Sequence, residues 1–406
     1  MTGLPAQEAA SGLVVSLMPC PVPDLLAREW RTLEAQARPS FFTSWTWIST
    51  WLNHLRPSPP VPRPALLRVH RGTELVGLGL VVERAGRRLR WWPSQGLHLH
   101  ATGQAAWDDI TIEHNGWLAR ADLAPQVHQA VAAQVWALVP GVDHFRLPAL
   151  STAHSSGLAW KDCVLEAQSG GAGQTVCEVR EDHTEEAYRV DLDAVRASGQ
   201  AYLDRLGSPT RAAIRRSLRL YESLGPLRLE LAATVDEGLH FLSRLKHFHQ
   251  ATWQARGRPG AFANPRFERF HHHLVRSALP AGEVQLLRLR AGTLEVGYLY
   301  NFAHAGQVLA YQSGFHFGLT ERNHHPGLVT HAMAVQKALD GGSAGYDFLA
   351  GQARYKEQLA NQRYVMSTVT LHRPSVGWRL ERAWRRWQAW QRAARARLAP
   401  AGRSRR

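Results

Sequence analysis

The sequence predicts an α/β (α+β) protein made of two copies of one domain. The first observation is length, because 406 residues exceed the roughly 250 to 300 at which a single hydrophobic core stops growing. The second is a repeat: LLRVHRGTELVG at 66–77 and LLRLRAGTLEVG at 286–297 are identical at seven of twelve positions. The third is the alternation of apolar strand-like runs with amphipathic helical runs.

Each copy of the repeat is predicted to be a β-hairpin. Apolar runs flank a glycine, which supplies the positive φ that a tight turn needs. Because the identical positions include the turn residues Gly-Thr, duplication explains the repeat better than a chance likeness of two hairpins.

Composition indicates an ordered protein of a reducing compartment. Hydrophobic residues make up 45% of the chain, enough for packed cores. Its cysteines are odd in number and widely spaced, which argues against a disulfide framework and a cysteine zinc site; they are Cys20, Cys163 and Cys177. The short apolar run at 13–18 follows no basic residue, and no window approaches the roughly 20 apolar residues of a membrane span. We therefore predict a cytoplasmic location.

The first half is predicted to run helix, hairpin, strand, strand, helix, strand. The segments are FFTSWTWISTWLNHL with Trp47, Trp51 and Leu55 on one face, then the proline-rich break PSPPVPRP, the hairpin, a strand near 88–92, WDDITI, APQVHQAVAAQVWALV and DHFRL. The run SGGAGQ at 169–174 is the predicted connection between halves. Predicted domains are 1–180, 181–375 and a basic tail, 376–406.

The second half opens with the strand AYRVDL and three helices whose starts have recognisable capping residues. These pairs are Ser208 with Pro209, Thr234 with Glu237, and Asn264 with Pro265. Three consecutive strands follow, the last being VLAYQSGF, and then a loop and helix, NHHPGLVTHAMAVQKALDGG. The predicted order ends with the strand AGYDFL, the short helix GQARYKEQLA and the strand RYVMSTVTLH.

This order, with the strings YDFLAGQARYK, TWQARG and GAFANPRF, is similar to the GNAT acyltransferases. Within them it resembles the CelD-like type of cellulose and exopolysaccharide biosynthesis, tandem GNAT proteins related to the FemAB aminoacyl-transferases. The resemblance extends to about residue 372. It implies two tandem GNAT-like domains, each a mixed, mostly antiparallel sheet flanked by helices.

HHPGLVT is the predicted donor site. A helix start offers unpaired N–H groups and a favourable dipole to an anion, and Gly327 allows close backbone approach. The resemblance implies that acetyl-CoA or another acyl-CoA places its pyrophosphate here and its pantetheine arm along 309–315; the predicted cofactor-binding residues are Tyr311, Ser313, Pro326, Gly327, Leu328 and Val329. The usual Q/R-x-x-G-x-G/A loop is absent, and an ordinary helix cap is the alternative.

Three residues of YDFLAGQARYK, at 346–356, are the predicted catalytic group. Asp347 ends a strand and is a candidate base, or else it caps the following turn. Tyr355 is a candidate acid for the leaving thiolate. Lys356 corresponds by resemblance to a lysine that contacts substrate phosphate in the FemAB proteins; the alternative is a solvated lysine, although lysine is rare here, with 4 in the chain.

Other basic and aromatic residues are predicted to bind substrate. Arg211 and Arg215 share a helix face that either guides an anionic substrate or is simply solvated. Trp253 and Arg256 are predicted to line an acceptor cleft, and His316 either moves a proton or is a surface residue. No metal is predicted, because the histidines of HHH at 271–273 point to different sides of a helix.

The net charge is +15, and most of the excess lies in the tail. Residues 377–406 contain ten Arg and one Glu, with Leu380, Trp384 and Trp387 on one helical face. Such a helix suits peripheral contact of 377–398 with an anionic membrane. Binding of nucleic acid and docking on the protein itself are the alternatives.

The resulting functional hypothesis is an acyltransferase that moves an acetyl group from acyl-CoA to an amine or hydroxyl of a small molecule or saccharide. The second domain carries the predicted site, and the first, which lacks the PG helix start and the DFL…YK string, supports it or binds the acceptor. One alternative is a FemAB-like transferase that uses aminoacyl-tRNA. Another is a non-catalytic, membrane-associated adaptor of a polysaccharide-synthesis complex.

Overall fold

The computed structural model describes residues 12–55, 63–89, 91–153, 177–318 and 324–398. The predicted fold class is confirmed, since these residues form a mixed 13-stranded sheet flanked by helices. Two predicted features, the proline-rich break and the connection at 169–174, fall mainly or wholly outside the described residues.

The elements of the first half lie in this order: β1 (Leu13–Pro19), α1 (Pro23–Glu34), α2 (Trp45–Leu55), β2 (Ala65–Arg71), β3 (Glu74–Arg88), β4 (Trp92–Leu99), α3 (Ala105–Asp108), β5 (Leu118–Ala119), α4 (Ala124–Leu138) and β6 (His144–Ser151). The predicted strand WDDITI is wrong, because its first residues belong to α3 and the rest form a loop. The strand expected near 88–92 lies further along the chain, because β4 runs from Trp92 to Leu99.

The second half follows as β7 (Glu178–Asp191), α5 (Leu192–Ala197), α6 (Ser208–Ser223), β8 (Leu227–Leu231), α7 (Val235–Ala255), α8 (Pro265–Ala278), β9 (Val284–Ala291), β10 (Leu294–His304), β11 (Gln307–Phe315), α9 (Pro326–Asp340), β12 (Gly345–Ala350), α10 (Arg354–Leu359), β13 (Gln362–His372) and α11 (Val376–Leu398). Thr234 and Asn264 cap their helices through side-chain oxygens, as predicted. Ser208 is the first residue of α6, and Gly207 holds the cap position instead.

Corresponding strands of the two halves follow the same order when each half is read from its own edge of the sheet towards the centre. From one edge it runs β1-β2-β3-β4-β6-β13, and from the other β8-β9-β10-β11-β12-β7. In each half one neighbouring pair is parallel, β4 with β6 and β11 with β12. The two halves therefore repeat one arrangement of strands.

The repeated hairpin matches down to an irregularity in its hydrogen-bond ladder. In the first copy the pairing passes from Val69↔Gly77 to His70↔Leu75 and so skips Val76. In the second it passes from Leu289↔Gly297 to Arg290↔Glu295 and skips the equivalent residue 296. A bulge at the same place supports duplication, because bulges are features that related domains retain.

β7 follows β6 in the chain; counted as the last strand of the first half, it shows that the two halves exchange their last strands. β13, from the end of the second half, pairs with β6 of the first. β7 pairs with β12 of the second half and with β13. The predicted domain boundary at 180/181 falls inside β7; the division into domains stays a prediction.

An aromatic cluster also joins the halves beneath the sheet. Phe41 stacks on Phe302 with ring centroids 4.2 Å apart, and Trp47 meets Phe270 edge-on at 4.8 Å. Trp47 and Trp51 are buried, as their helical spacing predicts. The first half is therefore packed directly against α8 and β10 of the second half.

Gly314 in β11 is a position where the backbones of two elements meet. A Cβ added there would lie 2.3 Å from the Leu245 carbonyl oxygen of α7. We expect Gly314→Ala to lower the free energy of unfolding by about 1–3 kcal/mol, because a well-packed backbone must move to accept it. Urea denaturation measures this, with Gly86→Ala of β3 as control, since its Cβ would meet nothing closer than 4.0 Å. Equal losses in both variants would contradict this close contact.

Candidate active site

A cleft opens where two parallel strands of the second half diverge. β11 and β12 pair only from Gln307↔Gly345 to Leu309↔Asp347, although both strands continue beyond these residues. The cleft has a volume of about 860 Å³, and residues 310–315 of β11 form one wall. The separated edges leave backbone groups that a ligand can reach between the strands.

β11 is irregular at the point where the cleft begins. Its partners in β10 shift from Asn301↔Ala310 to Tyr300↔Gln312, so Tyr311 is the extra residue of a bulge. A bulge turns backbone groups out of the regular ladder. Tyr311 and Ser313, both predicted to bind the donor, line the cleft. The Tyr311 hydroxyl points elsewhere, since it donates to the Ile110 carbonyl of the first half.

The start of α9 forms the opposite wall. Pro326, Gly327 and Leu328 line the cleft, as the donor-site prediction requires. The first in-helix bond is made by the Val329 N–H to His325, so the N–H groups of Gly327 and Leu328 precede the helical ladder. A Cβ on Gly327 would lie 3.1 Å from the Phe315 ring. Glycine therefore lets the helix start approach β11 closely.

The first half contributes a carboxylate to this cleft. Glu113 lies in the loop after α3, lines the cleft and accepts a hydrogen bond from the Ala350 N–H at 2.9 Å. Burial raises the pKa of Glu113 to about 7, opposed by the Ala350 hydrogen bond and the nearby Lys356 charge. A carboxyl with a pKa near neutrality suits general acid–base work. Glu113 was missed because it directly follows WDDITI, at 107–112, which was interpreted as a strand.

Lys356 is held at the end of β12 beside Glu113. Its ammonium donates to the carbonyls of Leu349 and Ala350. Burial lowers the pKa of Lys356, and the negative charges of Glu113, Asp347 and Glu185 oppose that shift. The lysine is thus a partly buried cation in the cleft wall and not a freely solvated side chain.

Tyr355 lines the cleft between α9 and α10. Its ring stacks on His331 of α9 with centroids 4.7 Å apart and an interplanar angle of 12°. Burial raises the pKa of Tyr355, so its hydroxyl stays protonated at neutral pH. Burial and, to a lesser extent, the nearby Lys356 charge lower the pKa of His331 to about 3, which keeps the imidazole neutral. Sequence reasoning missed His331, whose helical position lies one turn after Gly327.

Two predicted substrate residues stand at the other side of the cleft. Trp253 and Arg256 line it from the end of α7, and the Arg256 guanidinium lies 6.0 Å from the Trp253 ring centroid. The exposed Arg354 belongs to the same lining. The cleft is therefore positively charged at Arg256, Arg354 and Lys356, with Glu113 as its lining carboxylate among the described residues.

Asp347 is not brought to the cleft. Its carboxylate is 4% exposed and accepts hydrogen bonds from the Tyr364 hydroxyl at 2.8 and 3.0 Å and from the Leu349 N–H at 2.7 Å. Leu349 has a φ of 61°, which is unusual for a leucine. Asp347 therefore fixes the turn that presents the Ala350 N–H to Glu113, which matches the turn-capping alternative and not the role of a base.

Four other predicted site residues lie away from the cleft lining. Val329 is buried in the core behind α9. Arg211 and Arg215 contact the Asp204 carboxylate, the second at 3.0 Å. His316 packs against Phe248 with ring centroids 5.4 Å apart.

The equivalent place in the first half is filled. Trp117 covers Gly79, where an added Cβ would lie 2.1 Å from the indole ring. The cavity beside the start of α4, which is lined by Trp117 and His128, is about 20 Å³. Among the residues that the structure describes, the large cleft therefore belongs to the second half.

Comparison with known proteins agrees with this geometry. Residues 208–357, from α6 into α10, match the family model of the "Acetyltransferase (GNAT) domain". The chain therefore has a GNAT-like fold. No curated protein matches it by sequence.

Solved structures of similar fold have little sequence identity to this GNAT-like chain. FemX is 9% identical, with a TM-score of 0.54 over 88% of this chain and 97% of that one. L-PGS from Bacillus licheniformis is 11% identical, with a TM-score of 0.49 over 88% and 95%. A tandem GNAT protein from the clavulanic acid biosynthesis pathway is 11% identical, with a TM-score of 0.39 over 89% and 99%. At these identities the FemX likeness shows the fold alone.

The described part of the chain has neither a membrane-crossing helix nor a metal-binding group. Its helices include none with the length and apolar character to cross a membrane. Its histidine, cysteine and acidic side chains form no group of three or more that could hold a metal ion.

Proposed function

We propose that this protein is an acyltransferase that moves an acyl group, acetyl in the simplest case, from acyl-CoA to an amine or hydroxyl acceptor. The observation that carries the proposal is the convergence of three features on one cleft. These are the divergent edges of β11 and β12, the open N-terminus of α9 and the half-buried carboxylate of Glu113. The GNAT match over 208–357 supports the acyltransferase class.

The donor lies along β11 in this proposal. Its pyrophosphate meets the N–H groups of Gly327 and Leu328, where the helix dipole also favours an anion. The pantetheine arm follows 310–315 between the strands, and the bulge at Tyr311 offers backbone groups to the thioester. Backbone donors fixed in this way stabilise the oxyanion that forms during acyl transfer.

Glu113 acts as the general base. The acceptor nitrogen or oxygen attacks the thioester carbonyl carbon, and Glu113 takes the proton that the acceptor loses. Collapse of the tetrahedral intermediate breaks the C–S bond, and the Tyr355 hydroxyl donates a proton to the departing thiolate. The Glu113 proton then returns to the tyrosinate through solvent, which restores both groups. Lys356 supports the charge on Glu113.

Isothermal titration of the full chain with acetyl-CoA and with CoA tests the donor. We expect a Kd on the order of micromolar, about −8 kcal/mol, and at least tenfold weaker binding in Gly327→Val, because the added side chain meets Phe315 and projects into the cleft. Gly86→Val, far from the cleft, is the matched control and should bind normally. Absence of heat at millimolar ligand would exclude acyl-CoA as the donor.

A second candidate donor is aminoacyl-tRNA. Two observations favour it: the usual Q/R-x-x-G-x-G/A loop is absent, and Arg256 and Arg354 line the cleft. Binding of tRNA should then weaken steeply with salt, because phosphate contacts release counterions. Tight tRNA binding without acyl-CoA binding would replace the first proposal with this one.

The acceptor and location follow from the CelD-like resemblance and stay proposals. The proposed acceptor is a saccharide of exopolysaccharide or cell-envelope synthesis, and the proposed location is the cytoplasmic face of the membrane. A non-catalytic adaptor would bind neither donor.

A further inference from the structure

The C-terminal helix α11 is anchored to the rest of the protein by its first two turns. Trp378 stacks on His372 with ring centroids 3.5 Å apart and donates its indole N–H to Glu178 at 2.7 Å. The Glu381 carboxylate accepts from buried Arg88 of the first half at 2.8 Å. These contacts fix where the remainder of α11 lies.

Beyond the anchor, α11 and the turn between β3 and β4 enclose an open apolar groove. We call it the tryptophan groove; its lining residues are Leu89, Trp91, Trp92, Gly377, Leu380, Ala383, Trp384 and Trp387. It has a volume of about 480 Å³. Trp91 is 74% exposed and Trp384 and Trp387 are each 45% exposed. Continuous exposed apolar surface of this kind marks an interaction site in a soluble domain.

Arginines occupy the sides of α11 that the tryptophans leave. Leu380, Trp384 and Trp387 recur at the spacing of one helical face. Arg379, Arg386 and Arg392 are exposed and lie on the flanks of that face. Among the residues that the structure describes, the groove lining contains no charged side chain. Apolar surface and positive charge are thus adjacent but separate.

We propose that the tryptophan groove and its flanking arginines dock the protein on an anionic phospholipid bilayer. Tryptophan rings settle at the level of the lipid headgroups, while arginines on the helix flanks reach the lipid phosphates. The charge of residues 377–406, ten Arg against one Glu, complements such a surface. This proposal is independent of the transferase chemistry.

The separation of charge from the groove favours a bilayer over other occupants. A groove for single-stranded nucleic acid combines basic and stacking aromatic side chains along one track. A second copy docked through the same surface would bring two arginine-rich helices together, and their like charges would repel. Membrane contact requires the arrangement seen here, an apolar face flanked by cations.

Vesicle co-sedimentation of the full chain tests the proposal. We expect binding to phosphatidylglycerol-containing vesicles and little binding to pure phosphatidylcholine. Trp384→Ser with Trp387→Ser should weaken binding by about tenfold or more. Each of Arg386→Gln and Arg392→Gln should weaken it by about fivefold, and added salt should reduce this difference. Leu231→Ser, at an exposed leucine on the far edge of the sheet, is the control and should bind normally.

The unfolding midpoint provides a further readout. All four substitutions on α11 replace exposed residues and not the anchoring residues Trp378 and Glu381, so they should leave the midpoint unchanged. Equal binding to neutral and anionic vesicles, or undiminished binding by the tryptophan variant, would overturn the proposal. The proposal would also be overturned if the protein did not bind vesicles and instead self-associated or bound RNA in a way that only the tryptophan variant abolishes. Loss of vesicle binding with intact acetyl-CoA binding separates this surface from the cleft.

Discussion

We expect Glu113→Gln to lower kcat/KM for acyl transfer by roughly 10²–10⁴, the range that a positioned general base contributes. The amide keeps the size of the side chain but cannot take the acceptor proton. The assay follows release of free CoA thiol from acetyl-CoA in the presence of amine and hydroxyl acceptors. Acetyl-CoA binding should change little, since Glu113 contacts the Ala350 N–H and not the predicted phosphate site.

The pH dependence of the rate and of stability provides a second test of Glu113. Because burial raises the pKa of Glu113 to about 7, the rate should rise as pH increases through about 7 and the base ionises. The folded protein favours the protonated carboxyl of Glu113 over the ionised one. The stabilisation that this gives is present below pH 4.5 and is lost as pH rises from 4.5 towards 7. Glu113→Gln should remove both dependences. Denaturation between pH 4 and pH 8 measures the second.

Glu357→Gln is the matched control, because Glu357 is an exposed acid on α10 that pairs with Arg363. It should retain the rate and its pH profile. A normal rate in Glu113→Gln, or an unchanged pH profile, would exclude Glu113 as the base.

Arg88→Ala should destabilise the protein by about 3–5 kcal/mol, the usual cost of removing one partner of a buried ion pair. The guanidinium is 6% exposed and bridges Asp143 at 2.9 Å and Glu381 at 2.8 Å. Its loss removes the cation that Asp143 and Glu381 share, while Glu381 keeps its contacts with Arg385 at 2.7 Å and Arg180 at 3.4 Å. Urea denaturation measures the change, and faster proteolysis within 376–398 would show that α11 has lost its anchor.

Arg215→Ala provides the comparison for that variant. Arg215 and Asp204 are both more than half exposed, so this pair should contribute only about 0–1 kcal/mol. If Arg88→Ala and Arg215→Ala unfold at the same urea concentration, the bridge to Glu381 does not hold α11.

Local signals explain which parts of the fold could be predicted. The hairpin at 286–297 and the capped starts of α7 and α8 depend on residues a few positions apart, and the structure has them where predicted. The exchange of β7 and β13 depends on pairing across the whole chain, for which a single sequence contains no local pattern. From sequence alone, each half would be predicted to complete its part of the sheet with its own last strand.

The candidate site shows the same limit. The wall formed by β11 and α9 was predictable because strand, loop and helix follow one another in sequence. Glu113 was not, since its partner Ala350 lies 237 positions away. Asp347 was predicted to end a strand, but β12 continues to Ala350. β12 is also apolar on both faces, so its periodicity cannot say which way the carboxylate points.

The exchanged strands also bear on how this chain acquires its fold on the ribosome. Thr152, at the end of β6, bonds to Val365 of β13, 213 positions later. Until that residue has been synthesised, β6 exposes an unpaired edge that invites pairing with other chains. We therefore expect the nascent first half to need shielding by a chaperone, and the two halves made as separate polypeptides to be soluble only when they are produced together.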